Sequence, residues 1–141
     1  MKKLLILYLL MGLFAGSAIG QTQNKIQGSI PPKVEVYYFH PTDRCPIDQS
    51  IEANSKTVMQ SFFAKEIRTG TIFFRVINTD DKATAKITAK FDINAQALYI
   101  VKLEKGKEIR KDLTRFAFDY GQSNPGKFKS GLKDEIEKAL K

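Results

Sequence analysis

The sequence predicts an α/β fold with a central mixed four-stranded sheet flanked by helices. Three observations carry this expectation. Segments of strand propensity and helical periodicity alternate as strand, helix, strand, helix, hairpin, helix. The run Val34-Glu35-Val36-Tyr37-Tyr38-Phe39 lacks polar alternation, as a strand buried on both faces does. Glu104-Lys105-Gly106 offers a tight hairpin turn between the last two strands, which makes that pair antiparallel. Strands are expected near 34–40, 71–77, 97–103 and 107–113, and helices near 46–67 and 125–140. The first three strands are expected to run parallel and the fourth antiparallel.

The chain begins with a positive Met1-Lys2-Lys3, an apolar run from Leu4 to Phe14, and small residues at Ala18 and Gly20 before Gln21. Those are the three regions of a cleaved signal peptide. The apolar run falls short of the ~20 residues of a spanning helix, so no membrane span is expected after cleavage. Residues 1–20 are therefore read as a signal peptide and 21–33, polar and ending in Pro31-Pro32, as a flexible leader. Residues 34–141 form one domain of ordinary size, in the periplasm or outside the cell.

After the first strand, His40-Pro41 ends ladder pairing and Pro46 opens a helix, where its missing N–H costs nothing. Ile47, Ile51, Val58 and Phe62 mark the apolar face of that helix, and Glu52 with Lys56 an i,i+4 pair on its wet side. Gly70 lies past its end. Thr71 to Ile77 is β-branched and aromatic, and Asn78-Thr79-Asp80-Asp81 supplies turn and N-cap chemistry. Lys82 to Phe91 reads as a short helix with Ala83, Ile87 and Phe91 on one side, giving a right-handed crossover to the next strand. Phe116, Phe118 and Tyr120 alternate within Thr114 to Ser123, a segment that extends the fourth strand or forms an aromatic flap over one end of the sheet. Asn124-Pro125 caps and starts the last helix, whose apolar residues are Phe128, Leu132, Ile136 and Leu140. Gly131 inside it costs roughly 1 kcal/mol relative to alanine.

Chemistry concentrates at the mouth of the first helix, where the single cysteine, Cys45, lies between Arg44 and Pro46. The positive end of a helix dipole favours a thiolate there, and Arg44 is a candidate thiolate stabiliser. The strand–loop–Cys45-Pro46-Ile47-Asp48–helix stretch resembles the thioredoxin-like superfamily, with Asp48 standing where the second cysteine of Cys-x-x-Cys belongs. The run Tyr37-Tyr38-Phe39-His40 with Arg44-Cys45-Pro46 and Ile51-Glu52-Ala53 is similar, more closely, to small exported bacterial thioredoxin-like proteins, some labelled nitrophenyl compound nitroreductase subunits. No nitroreductase activity is carried over, since the chain has no Gly-x-Gly-x-x-Gly phosphate loop. The superfamily's cis-proline would fall within Asn94-Ala95-Gln96-Ala97, where no proline stands.

The resemblance, with its two departures, implies an exported thioredoxin-like protein that has lost dithiol oxidoreductase chemistry and acts as a binding or accessory module. A monothiol protein forming mixed disulfides or sulfenic acid at Cys45 is the alternative, and a Cys45-linked homodimer the third reading. Asp48 falls at the third helical position, where a carboxylate stabilises the helix but opposes a neighbouring thiolate. His40 reads as a strand-end structural residue. One cysteine and one histidine give too few ligands for zinc or iron–sulfur, and no cofactor is expected. The formal charge is +8, two units of it on Lys2 and Lys3. The spread of the lysines fits a solvated surface or a protein partner, such as a thiol or acidic envelope protein, and not nucleic acid.

Overall fold

A computed structural model describes residues 31–141; the expected signal peptide and most of the leader lie outside them. Four strands form one sheet: β1 (Val34–His40), β2 (Ile72–Asn78), β3 (Ala97–Glu104) and β4 (Lys107–Asp112). Their order is β2-β1-β3-β4, so the strand without polar alternation sits inside. Val34 through Phe39 are all buried, with Val34, Val36 and Tyr38 facing one core cluster and Tyr37 and Phe39 the other. The fold is thus α/β, with a mixed four-stranded sheet flanked by helices, consistent with a thioredoxin-like arrangement.

The strand directions correct one expectation. β1 and β2 are parallel, but β3 runs antiparallel to β1, and β4 antiparallel to β3. The two connections differ in the length of their helices. Helix α1 (Pro46–Phe62) is about 26 Å long, enough to return the chain along a strand of about 23 Å. Between β2 and β3 the helical part is a 3₁₀ turn (Lys82–Thr84) and helix α3 (Ala85–Phe91), together about 16 Å and shorter than the strand. Ala97 enters beside Phe39, at the end where β2 stopped. The expected parallel crossover is absent there.

The first helix also ends earlier than expected. Phe63 leaves the helical region (φ −126°, ψ 19°), and a short helix α2 (Ala64–Arg68) follows. The bend turns Phe63 into the core, while Phe62, expected on the apolar face, is 52% exposed beneath the Lys133 ammonium. Ile51 and Val58 are fully buried. Ala83 is exposed in the 3₁₀ turn, whereas Ile87 and Phe91 do pack on the second cluster. The Asp81 carboxylate caps that turn by accepting from the Ala83 N–H at 2.8 Å.

The hairpin forms as expected, with Lys105 and Gly106 both at positive φ and Glu104 paired with Lys107. The aromatic segment is neither strand nor flap. It is helix α4 (Thr114–Tyr120), because Leu113 and Ala117 are buried one turn apart and Phe116 meets Tyr120 at 5.4 Å. Helix α5 (Pro125–Leu140) starts where Asn124 Oδ1 accepts from the Lys127 N–H, and its Phe128, Leu132 and Ile136 are fully buried. Each of those side chains contributes about 1.5–3 kcal/mol by burial.

α1, α4 and α5 cover one face of the sheet and α3 alone covers part of the other. Arginines extend that thinner layer: Arg110 lies 4.2 Å from the Phe91 ring centroid, and Arg75 lies 5.1 Å from that of Phe73.

Gly131 has a packing reason inside α5. A Cβ there would run into the Phe116 ring, which stacks on Phe128 at 5.8 Å. Gly131→Ala is therefore expected to lose about 1–2 kcal/mol in urea unfolding, despite the gain in helix propensity. Phe116→Leu in the same chain should recover at least half of that loss; strict additivity would refute the contact.

Candidate functional site

The C-terminal end of β1, the start of α1 and the residues before β3 meet at one end of the sheet. Cys45 is the residue before α1, with an extended backbone and an exposed side chain. Asp48, one turn into the helix, is fully buried. Its Oδ2 accepts from the Cys45 N–H at 3.1 Å, from the Cys45 thiol at 3.0 Å and from Gln96 Nε2 at 3.1 Å. Tyr38, reaching from β1, donates to the Asp48 backbone carbonyl at 3.0 Å and lies 3.4 Å from Oδ1. The Asp48 carboxylate is therefore a buried anion that holds strand, helix and the β3 approach together.

The electrostatics follow from these contacts. Burial pushes the Asp48 carboxyl up, but the hydrogen bonds from the Cys45 thiol, Gln96, the Cys45 N–H and Tyr38 outweigh it and hold the group below its ordinary value. Burial also pushes the Tyr38 hydroxyl up, and the neighbouring Asp48 charge adds to this. Tyr38 is thus a neutral donor. The sulfur faces an ionised carboxylate 3.0 Å away, so a thiolate there would put two negative charges side by side.

Arg44 is engaged on the flank of α1. Its guanidinium pairs with Glu52, which also takes Lys56, so the pair expected on the wet side is a three-membered cluster around a buried carboxylate. Burial pushes the Glu52 carboxyl up and its two cationic partners bring it back below its ordinary value. His40 also stands apart: its Nδ1 lies 2.8 Å from the Pro41 carbonyl, and its ring stacks on Tyr38 at 6.0 Å.

Of the residues expected at the site, Cys45 and Asp48 touch and Arg44 pairs with Glu52, while His40 closes the strand as expected. Tyr38, Gln96 and Glu52 were not anticipated. Gln96 lies in the stretch where the resemblance would have placed a proline; no cis peptide bond occurs among the described residues. The loop before Cys45 is anchored as well, with the Thr42 N–H donating to Asp80 Oδ2 at 2.7 Å and His40 O accepting from the Thr79 N–H at 2.8 Å.

No family model matches the chain, and no curated protein does. A solved structure described as that of a malarial protein is similar at 15% identity with a TM-score of 0.40, over 62% of this chain and 93% of that one. The chemistry of the site is therefore read from its own geometry.

Both lowered carboxyls give stability a defined pH dependence. A depressed folded value means the contribution is complete above the ordinary values, 3.8 for Asp48 and 4.5 for Glu52, and is lost as pH falls through the lowered ones. Asp48→Asn should be less stable than wild type at neutral pH, and the gap should close as pH falls below the ordinary value of 3.8. Urea unfolding across that range checks this; a gap independent of pH would refute it.

Proposed function

We propose that this is an exported thioredoxin-like protein that has lost dithiol oxidoreductase chemistry and works as a binding or accessory module. The observation that supports this reading is the state of Asp48. Catalysed exchange needs one sulfur to attack and a second to clear the mixed disulfide. A buried carboxylate occupies the second position, and it binds the thiol proton of the first. No sulfur is available to complete a cycle, because Cys45 is the chain's single cysteine. The helix-mouth arrangement has become a structural clasp in which the former chemical position anchors Tyr38 and Gln96. Partner recognition then falls to the surface, with a thiol protein or an acidic envelope protein as the counterpart.

The exposure of Cys45 supports a second reading. A mixed disulfide or a sulfenic acid forms on an accessible sulfur without a resolving partner, and an external thiol is then needed to remove it. The two readings differ in whether the sulfur is used, not in how the fold holds it.

Insulin reduction separates them from a working dithiol enzyme. Wild type is expected to show no turnover above the uncatalysed rate, and robust turnover would overturn the proposal. Asp48→Cys, which puts sulfur within one helical turn of Cys45, is expected to form an intramolecular disulfide detectable by thiol counting. Two free thiols persisting under oxidising conditions would count against the helix-mouth geometry.

Export is proposed on the composition of residues 1–20, which lie outside the described residues. Mass spectrometry of envelope fractions should find a mature N-terminus at Gln21. Recovery of only the Met1 form would refute cleavage.

A further inference from the structure

The two sides of β4 differ in charge. Alternation puts Lys107, Ile109 and Lys111 on one side of the strand and Glu108, Arg110 and Asp112 on the other. The second set is engaged within the fold: Glu108 holds Lys90 and Arg110, and Asp112 accepts from the Tyr99 hydroxyl at 3.0 Å. The first set faces α5 across a groove of about 220 Å³, whose apolar surface comes from Ile100, Ile109 and Ala139. Ile109 is the strand's one apolar residue and is 53% exposed. Three ammonium groups line the groove, those of Lys102, Lys111 and Lys138, against the single carboxylate of Glu135. Glu135 is shared by Lys111 and Lys138, so its charge neutralises only one of them. Lys107 lies opposite Glu104, which pairs with Lys102 at 3.4 Å. No described strand pairs with the outer edge of β4.

We infer that β4 and its groove against α5 take an extended acidic segment of another protein, an inference that rests on the reading of this chain as a binding module. Spacing and charge define the occupant. A segment added to the outer edge of β4 sets alternate side chains on the α5 side, opposite Lys107, Ile109 and Lys111. The complementary pattern is acid, any residue, apolar, any residue, acid. Its carboxylates meet the positive charge left over by Glu104 and Glu135, and its apolar side chain covers Ile109 and enters the groove. The groove suits one such side chain, being smaller than the roughly 300–1,000 Å³ of a small-molecule site. The same lysines repel a second copy of this side, and the charged edge rejects strands without matching acids. A flat anionic bilayer would meet the lysines but leave the floor at Ile100, which is 2% exposed, unfilled. So short a segment binds weakly, with a dissociation constant on the order of 100 μM that rises with salt.

Calorimetric titration with the blocked peptide Thr-Glu-Thr-Leu-Thr-Glu-Thr tests this. Thr-Glu-Leu-Glu-Thr-Thr-Thr has the same composition but puts leucine and the acids on opposite sides of a strand, and should bind at least about fivefold more weakly. Lys107→Glu should weaken the first peptide by a similar factor. One of the two peptides carrying lysine for a single glutamate should then restore binding to that variant, which shows that it is folded. Lys65→Glu, the same charge change on α2, should alter affinity less than about twofold at physiological salt. Equal binding of the two isomeric peptides, no binding at about 1 mM, or no restoration by either lysine peptide would each overturn the proposal. Capture of the chain by phosphatidylglycerol vesicles with the same dependence on Lys107 would overturn it in favour of lipid. Insulin reduction on the same sample separates the two readings: no turnover and no peptide binding removes this surface alone, whereas turnover removes the loss of dithiol chemistry itself.

Discussion

The arrangement at the mouth of α1 depends on one buried charge. Asp48 sits where no water reaches it and remains ionised because its hydrogen-bond donors come from three separate parts of the chain. Cys45 supplies donors from the helix start, Tyr38 from the middle strand, and Gln96 from the approach to β3. A buried anion with this many partners is costly to leave unmatched, so each donor is held in place by the penalty of its loss. The clasp therefore fixes the angle at which α1 leaves the sheet.

Glu52 repeats the device one turn later on the same helix. Its carboxylate is nearly as buried, yet its partners are the long, flexible cations Arg44 and Lys56 and not backbone or uncharged groups. The two acids divide the labour: Asp48 ties the helix inward to the sheet, and Glu52 gathers the loop before the helix onto its flank. Arg44 is consequently committed to Glu52.

Much of the fold was legible in the sequence because burial and turns leave strong local marks. The unalternating β1, the Lys105-Gly106 turn and the Asn124-Pro125 helix start all appear where they were expected. What failed was non-local. The direction of β3 is set by where the chain re-enters the sheet, beside Phe39, and the residue types of the strand do not record that. Helix α4 was hidden because Phe116, Phe118 and Tyr120 fit an alternating strand as well as a helix, and the Leu113–Ala117 and Phe116–Tyr120 spacings that favour the helix are short-range marks easily overlooked beside it. At the site, Cys45 and Asp48 were legible from their position in the turn. Tyr38 and Gln96 were not, since they reach the carboxylate from 10 and 48 residues away. Arg44 misled because sequence adjacency to sulfur says nothing about which way a long side chain turns.

The unequal helical layers have a consequence for how the molecule breathes. One face of the sheet is sealed by α1, α4 and α5 over a large cluster, while the other rests on the seven residues of α3, a few aromatic rings and two arginines laid across them. A helix of that length has little stability of its own and depends on Phe91 for its anchorage. Lifting α3 disrupts the smaller cluster and leaves the larger one intact, so the two faces open as separate cooperative units. Solvent then reaches the middle of the sheet from the α3 side first, beside Tyr37 and Phe39, while the clasp on the opposite face stays closed.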